Sequence, residues 1–324
     1  MALDIHTWTK IAAFAGSGIA MGFGAIGAAI GEGYTAAEAN SALSRDPKGY
    51  GNIFKSMLVG QAIAESASIF ALVIAMILLF SNFPAESPVT AFALIGAGLS
   101  MGLGAIGSGV GSGLPAAAAC KGMARQPAAS SRLTTNMLIG SAVCQTPSIF
   151  ALVISFILIF SDFLSKPVNP TWGAVVGAGL ACGLGAIGSG LGGGAVAQAS
   201  CEGISRQPAA ATPLTNVMLL GQAVTQTPAI LGLLISFILI FKNFPATDAI
   251  APGTALLSAG LCMGLGAIGP GIGEGIASSG AVRWVARAPS FAGELTRTML
   301  VGMAVAESTA IYSMVIALIL IFVV

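Results

Sequence analysis

The sequence predicts an all-α membrane protein: eight transmembrane helices arranged as four tandem helical hairpins, assembling into a two-layered ring. Three observations carry this. Charged residues make up 8% of the 324 residues and hydrophobic residues 56%, whereas a soluble domain carries about 25% charged residues. Lipid or other membrane helices are therefore the solvent for most of the chain. The string Gly-Ala-Ile-Gly recurs at Gly24–Gly27, Gly104–Gly107, Gly185–Gly188 and Gly266–Gly269, at offsets of 80, 81 and 81. Each copy also holds two apolar runs of about 25 to 30 residues, enough to cross a bilayer with some tilt.

The period is confirmed by a second landmark. Arg45, Arg125, Arg206 and Arg287 keep the same offsets, and each is followed two residues later by a proline: Pro47, Pro127, Pro208 and Pro289. A fixed period of this kind marks tandem structural copies. The hairpins are expected at 1–84, 85–165, 166–246 and 247–324. In each, the first run is glycine-rich, as in Gly96, Gly98, Gly102, Gly104 and Gly107, and the second ends in bulky residues, as in Ile149-Phe150-Ala151-Leu152. Backbone groups in lipid must be satisfied within their own segment, so both runs are helices. Small residues four apart, such as Gly16-Ala20-Gly24, give the first helix a smooth face for close packing. Four such helices form an inner layer and the bulkier helices an outer one. Enough hairpins close this palisade into a ring.

Two spans per copy leave all four polar loops on one side. Ten of the 13 basic residues sit in or beside these loops: Arg45, Lys48, Lys55, Lys121, Arg125, Arg132, Arg206, Arg283, Arg287 and Arg297. The positive-inside rule puts the loops in the cytoplasm, here of a bacterial plasma membrane, and both termini outside. The first apolar stretch, residues 11–39, is too long for the core of a signal peptide and lacks a basic lead, so it reads as mature sequence.

Several classes are excluded. A net charge of +1 offers no basic surface to neutralise nucleic-acid phosphates. Cys120, Cys144, Cys182, Cys201 and Cys262 show no CxxC spacing and no histidine partner, and read as small buried residues; His6 stands alone and supports no site. Four GxGxxG strings, at Gly22–Gly27, Gly102–Gly107, Gly183–Gly188 and Gly264–Gly269, fit the dinucleotide fingerprint. They lie inside long apolar helices and not between a strand and a helix, so they read as packing.

An acidic residue mid-membrane is a functional-site hypothesis, because a charge there costs about 2.5–3.5 kcal/mol. Glu32 and Glu65 lie within the spans of the first repeat, and Glu274 and Glu307 at the aligned positions of the fourth. In each repeat, one acid precedes the loop arginine by 13 residues and the other follows it by 20. The two therefore share one depth and can meet. Two ionised carboxylates so close repel, so one holds a proton or both share a cation. Ser66 and Ser308 follow the second acids. Carboxylate, hydroxyl and carbonyl make an all-oxygen shell that suits a hard cation. The middle repeats read as blanked sites: Ser112 and Gly193 replace the first acid, and Gln145 and Gln226 the second. Each of these glutamines stands in Gln-Thr-Pro, where Pro147 and Pro228 kink the helix.

At these motifs the chain resembles the rotor-ring c subunit (proteolipid) of F-type and V-type rotary ATPases, four times over. Gly264-Leu-Gly-Ala-Ile-Gly-Pro-Gly-Ile-Gly-Glu274-Gly is similar to the first helix of sodium-binding c subunits, with Glu274 in place of the usual Gln. Val305-Ala-Glu307-Ser308-Thr309-Ala-Ile-Tyr312 is similar to their second helix. The resemblance implies Glu307 as the ion-binding carboxylate, Glu274 as the second, Ser308 as a hydroxyl ligand and Val305 as a carbonyl ligand. It also implies a water held by Thr309 and a latch at Tyr312. The first repeat keeps Glu32, Glu65 and Ser66, has Ile63 for the carbonyl, and departs at Ala67 and Phe70. Arg125-Gln126-Pro127 and Arg206-Gln207-Pro208 match the loop that faces the central stalk; Arg45-Asp46-Pro47 and Arg287-Ala288-Pro289 depart from it.

The expected function is thus a non-catalytic rotor subunit moving Na⁺, or alternatively H⁺, with no covalent cofactor. Its implied partners are copies of itself, possible single-hairpin c subunits, a stator a subunit, central-stalk subunits and lipid. With two acidic hairpins in four, ion-to-ATP gearing is halved, which favours ATP-driven pumping. The ion sites are expected between neighbouring hairpins, with the best-formed one spanning two chains and with Thr146 or Thr227 as the hydroxyl elsewhere. The competing readings are an eight-helix secondary transporter, disfavoured because the repeats are parallel and not inverted, and a pore-forming or structural oligomer without an ATPase.

Overall fold

A computed structural model describes residues 4–84 and 87–323; the expected hairpin limits at residues 1, 85 and 324 lie outside the described residues. Ten α-helices follow in order: α1 (Ile5–Arg45), α2 (Tyr50–Phe80), α3 (Pro88–Arg125), α4 (Ser130–Cys144), α5 (Thr146–Phe160), α6 (Val168–Arg206), α7 (Ala211–Thr225), α8 (Thr227–Phe241), α9 (Ile250–Val285) and α10 (Ala292–Phe322). Pairs α4–α5 and α7–α8 are single spans interrupted at Gln145 and Gln226. This gives eight spans of 34 to 41 residues among the described residues, each long and apolar enough to cross a membrane.

The interruptions have a local cause. Pro147 and Pro228 have no N–H to give the carbonyl four residues back. The helix resumes with these prolines in its first turn, where a missing donor costs nothing. The four polar loops are copies of one turn. The residue before each proline, namely Asp46, Gln126, Gln207 or Ala288, leaves the helix at φ −135 to −139° and ψ 74 to 82°. Proline pushes its predecessor out of the helical region in this way. One 3₁₀ turn then starts the return helix.

The glycine-rich helices α1, α3, α6 and α9 pack side by side in that order, and the others form a second layer. Each outer span lies in the groove between its own inner helix and the next: α2 on α1 and α3, α4–α5 on α3 and α6, α7–α8 on α6 and α9. Span α10 has only α9 beneath it, and α9 does not pack on α1. The described chain is therefore an arc with two free edges.

Glycine lets the inner backbones touch. A methyl added at Gly102, Gly183 or Gly264 would come within 2.6 to 2.8 Å of the carbonyl oxygens of Ile19, Leu99 and Leu180 on the preceding inner helix. Gly98, Gly113 and Gly188 are likewise jammed against a neighbouring backbone. Their repeat equivalents Gly22, Gly18 and Gly33 on α1, and Gly269 on α9, meet nothing within 4 Å. Hydroxyls tie the layers together in the middle hairpins. Ser155 Oγ donates to Ala97 O at 2.9 Å and Ser236 Oγ to Ala178 O at 2.7 Å; Ala75 and Ala317 take these places in the outer hairpins.

Candidate ion-carrying site

The repeat register brings the four acids to one depth. Glu32 on α1 is half-buried and Glu65 on α2 exposed; Glu274 on α9 is fully buried and Glu307 on α10 half-buried. Within each pair the acids stand on the two packed helices of one hairpin, α1 with α2 and α9 with α10. Neither carboxyl oxygen of Glu274 has a hydrogen-bond partner. A buried carboxylate left in that state is strongly unfavourable, so it calls for a proton or a cation.

The non-acidic hairpins fill the same place differently. Gln145 Nε2 donates to Ser112 Oγ at 2.6 Å and to the Ile63 carbonyl oxygen at 3.0 Å. Ser66 Oγ donates to that same carbonyl at 2.7 Å. Ser112 lies on Gln145's own inner helix, but Ile63 lies on the outer helix of the preceding hairpin. The seat is thus built by two hairpins, and it has an order: the acid position of one reaches the carbonyl of the one before. The Ile63 carbonyl expected in an ion site thus accepts from both Ser66 and Gln145. Gln226 is also buried, yet neither its Nε2 nor its Oε1 has a partner: Gly193 offers no hydroxyl where Ser112 does, and the Val143 carbonyl, equivalent to that of Ile63, is not taken up by Gln226.

At the far edge, Ser308 Oγ donates to Val305 O at 2.7 Å and Thr309 Oγ1 to Ala306 O at 3.2 Å. Val305 is 69% and Tyr312 66% exposed. Val305 and Tyr312 stand on the side of α10 that no other hairpin of the described chain covers. The loop residues Arg45, Arg125, Arg206 and Arg287 are exposed at one end of the bundle. Beside them Gln126 and Pro208 are half-buried, while Pro127 and Gln207 are exposed. Arg132 Nη1 ties two of these loops by donating to Pro208 O at 2.6 Å.

A second polar position escaped the sequence reading. Four residues before each acid or its glutamine, Gln61, Ser141 and Gln222 donate across the hairpin to the carbonyls of Glu32, Ser112 and Gly193, at 3.3, 3.0 and 3.0 Å. Gln222 also reaches Gly140 O of the preceding hairpin at 2.9 Å. The fourth hairpin has Met303 there. The signal available in the sequence was the polar residue repeated one helical turn ahead of the acid position in three of the four hairpins.

Eight spans in four co-oriented hairpins, glycine-packed inside and carrying paired mid-span carboxylates, define an integral membrane protein of the ring-forming, ion-carrying class. Residues 15–78, 95–158, 176–239 and 257–320 each match the family of the ATP synthase C subunit. The chain is 57% identical over 68 residues to the ATP synthase c subunit of Petrotoga mobilis, a match that spans 21% of this chain and 71% of that one. It is 52% identical over 79 residues to that of Thermotoga petrophila and 47% over 75 residues to that of Prochlorococcus marinus, each match spanning 23% of this chain and 93% of the relative. The chain belongs to the ATP synthase C-subunit family, as a rotary ATPase c subunit of four fused hairpins: a non-catalytic, ion-translocating part of the complex.

Proposed function

We propose that this chain is the rotor of a Na⁺-translocating rotary ATPase that runs chiefly as an ATP-driven pump. The observation that carries the reading is Glu274, with both oxygens buried and unpartnered on the inner helix of the hairpin whose outer helix carries Glu307. Two carboxylates with nearby hydroxyl and carbonyl oxygens form the donor set of a hard monovalent cation. A proton needs one carboxyl and one acceptor, and the rest of the set would be surplus. The ring turns against a stator subunit, and the exposed Arg-containing loops face a central stalk on the cytoplasmic side.

Gearing follows from the count of acids. Two of four hairpins titrate, so each turn moves half the ions of a fully acidic ring. Each ion crossing 100 mV is worth about 2.3 kcal/mol. Fewer ions per turn deliver less work toward ATP synthesis, and each ATP drives its ions up a steeper gradient.

Carbodiimide labelling of the purified ring tests the cargo. Glu65 and Glu307 should label in their protonated form, and NaCl should protect them; labelling indifferent to NaCl at every pH makes the cargo a proton. Restoring glutamate at both Gln145 and Gln226 should raise the ions moved per ATP and lower the limiting gradient. An unchanged limit refutes the gearing.

A further inference from the structure

We propose that the cleft between the second and third hairpins, at the loop end of their outer helices, seats the phosphate diester of an anionic phospholipid, one per chain. The proposal rests on the acid positions lying mid-membrane and not on which ion they carry.

The cleft lies between α4 and α7 and has a volume of about 420 Å³. Ser131, Arg132 and Thr135 line it from α4, and Thr212 and Asn216 from α7. Ile139 lines its end nearer the membrane centre. Arg132 is held at the cleft by the bond from its Nη1 to the Pro208 carbonyl oxygen, 2.6 Å long. A guanidinium has five N–H groups, so most of them remain for a phosphate, whose geometry the fork matches. No described residue lining the cleft is acidic. The loop ends of these two hairpins carry Lys121, Arg125, Arg132 and Arg206 against Glu202, so the surroundings are positive as well. Basic pockets between membrane helices on this side recruit anionic head groups.

Depth selects a lipid over a free anion. Arg132 precedes Gln145 by 13 residues along α4, and Thr212 precedes Gln226 by 14 along α7; Thr135 and Asn216 precede them by 10. At 1.5 Å per residue these groups stand about 15 to 21 Å from the depth of the acid positions. The hydrocarbon of a bilayer ends about 15 Å from its centre and the head groups about 20 to 22 Å from it. The polar wall therefore spans the head-group layer. Two helical turns nearer the centre, on the same faces as Ser131 and Thr212, Leu138 and Leu219 are 39% and 38% exposed. They offer acyl chains an apolar surface under the polar seat. Arg132 has no counterpart in the other repeats, where Asn52, Pro213 and Glu294 hold its place. That makes the seat particular to this one groove of the four-hairpin chain.

Native mass spectrometry of purified, lipid-stripped rings tests the seat, with short-chain phosphatidylglycerol, short-chain phosphatidylcholine and inorganic phosphate titrated separately. Wild-type rings should take up one phosphatidylglycerol per chain, more tightly than phosphatidylcholine. Arg132→Gln should weaken this about fivefold, the worth of one basic residue near an anionic surface, and Arg132→Lys should restore part of it. Lys55→Gln removes an exposed cation of similar depth outside the cleft and should leave uptake unchanged. If Arg132→Gln rings dissociate, Thr212→Val and Asn216→Leu, which spare the tie to Pro208, should show the loss instead. Equal loss in Arg132→Gln and Lys55→Gln overturns the proposal, as do wild-type rings that take up no phosphatidylglycerol or prefer phosphatidylcholine. Inorganic phosphate bound as tightly as the lipid makes this a free-anion seat and refutes the lipid. None of these outcomes touches the labelling of Glu65 and Glu307, so the rotor reading is tested apart from this one.

Discussion

A methyl at Gly22 should leave the single chain intact and obstruct its assembly. The equivalent methyl at Gly102, Gly183 or Gly264 lies 2.6 to 2.8 Å from a carbonyl oxygen of the preceding helix, where ordinary contact begins at 3.4 Å. Joined copies in the same register must therefore part by about 0.6 to 0.8 Å at a Gly22→Ala junction. Overpacking of one methyl in a close interface costs about 1–3 kcal/mol, which weakens each chain-to-chain contact roughly 5- to 150-fold. Every junction of the ring carries the same penalty. In the isolated chain Gly22 meets nothing within 4 Å, so its thermal stability should hold or rise slightly, since alanine is the better helix former. Gly102→Ala is the counterpart: it should lower the melting temperature of the isolated chain itself. Native mass spectrometry of detergent-extracted protein, followed through a detergent titration, reads the ring, and thermal melting of dissociated chains reads the monomer. Gly22→Ala rings as abundant and as resistant as wild type would refute the reasoning, as would a Gly22→Ala chain destabilised as much as Gly102→Ala.

Other outcomes follow from the same contacts. Gln145→Glu removes the donor to Ile63 O and places a carboxylate in that seat, so the variant's melting temperature should gain a dependence on NaCl, seen as an upshift larger than wild type shows. Ser155→Ala deletes the bond to Ala97 O and should cost about 0.6 kcal/mol, the average for interhelical bonds in membranes, read as a small drop in melting temperature; Ala75→Ser in the first hairpin should give a comparable gain. The Lys121–Glu38 pair, 3.2 Å apart and partly exposed, should contribute less than about 1 kcal/mol, so Lys121→Ala should leave ring yield unchanged.

Much of this fold is legible in the chain because its determinants are local and repeated. The two apolar runs, the Arg-x-Pro turn and the glycine face each appear four times, and bilayer length fixes what the runs must be. The pairing of Glu32 with Glu65 and of Glu274 with Glu307 follows from counting residues either side of the loop. The direction of each seat does not. A repeat of 80 or 81 residues says that hairpins are neighbours, but not which neighbour an outer helix leans toward; that depends on how side chains interlock in the groove between α1 and α3. So Ile63 reads in the sequence as a carbonyl ligand for an acid of unspecified hairpin, and in the fold its carbonyl accepts from Gln145 of the next hairpin. Gln222 was legible only as a polar residue at a repeated position; its partners were not, because Gly193 O and Gly140 O are backbone atoms, which carry no signature in sequence.

The order of the hairpins, acid-bearing at both ends and glutamine-bearing in the middle, has a mechanical consequence. If the acids carry the ion past a stator, as proposed, then in copies joined end to end the fourth hairpin of one abuts the first of the next, and acid positions arrive there in couples. After one pitch comes the second ion, and after three pitches the next couple begins. Through those three pitches no ion leaves or enters, and the membrane field exerts no pull. The rotor therefore has a limping gait, two short strides of cadence one and three, and single-molecule rotation records at limiting ion concentration should show dwells spaced in that ratio and not evenly.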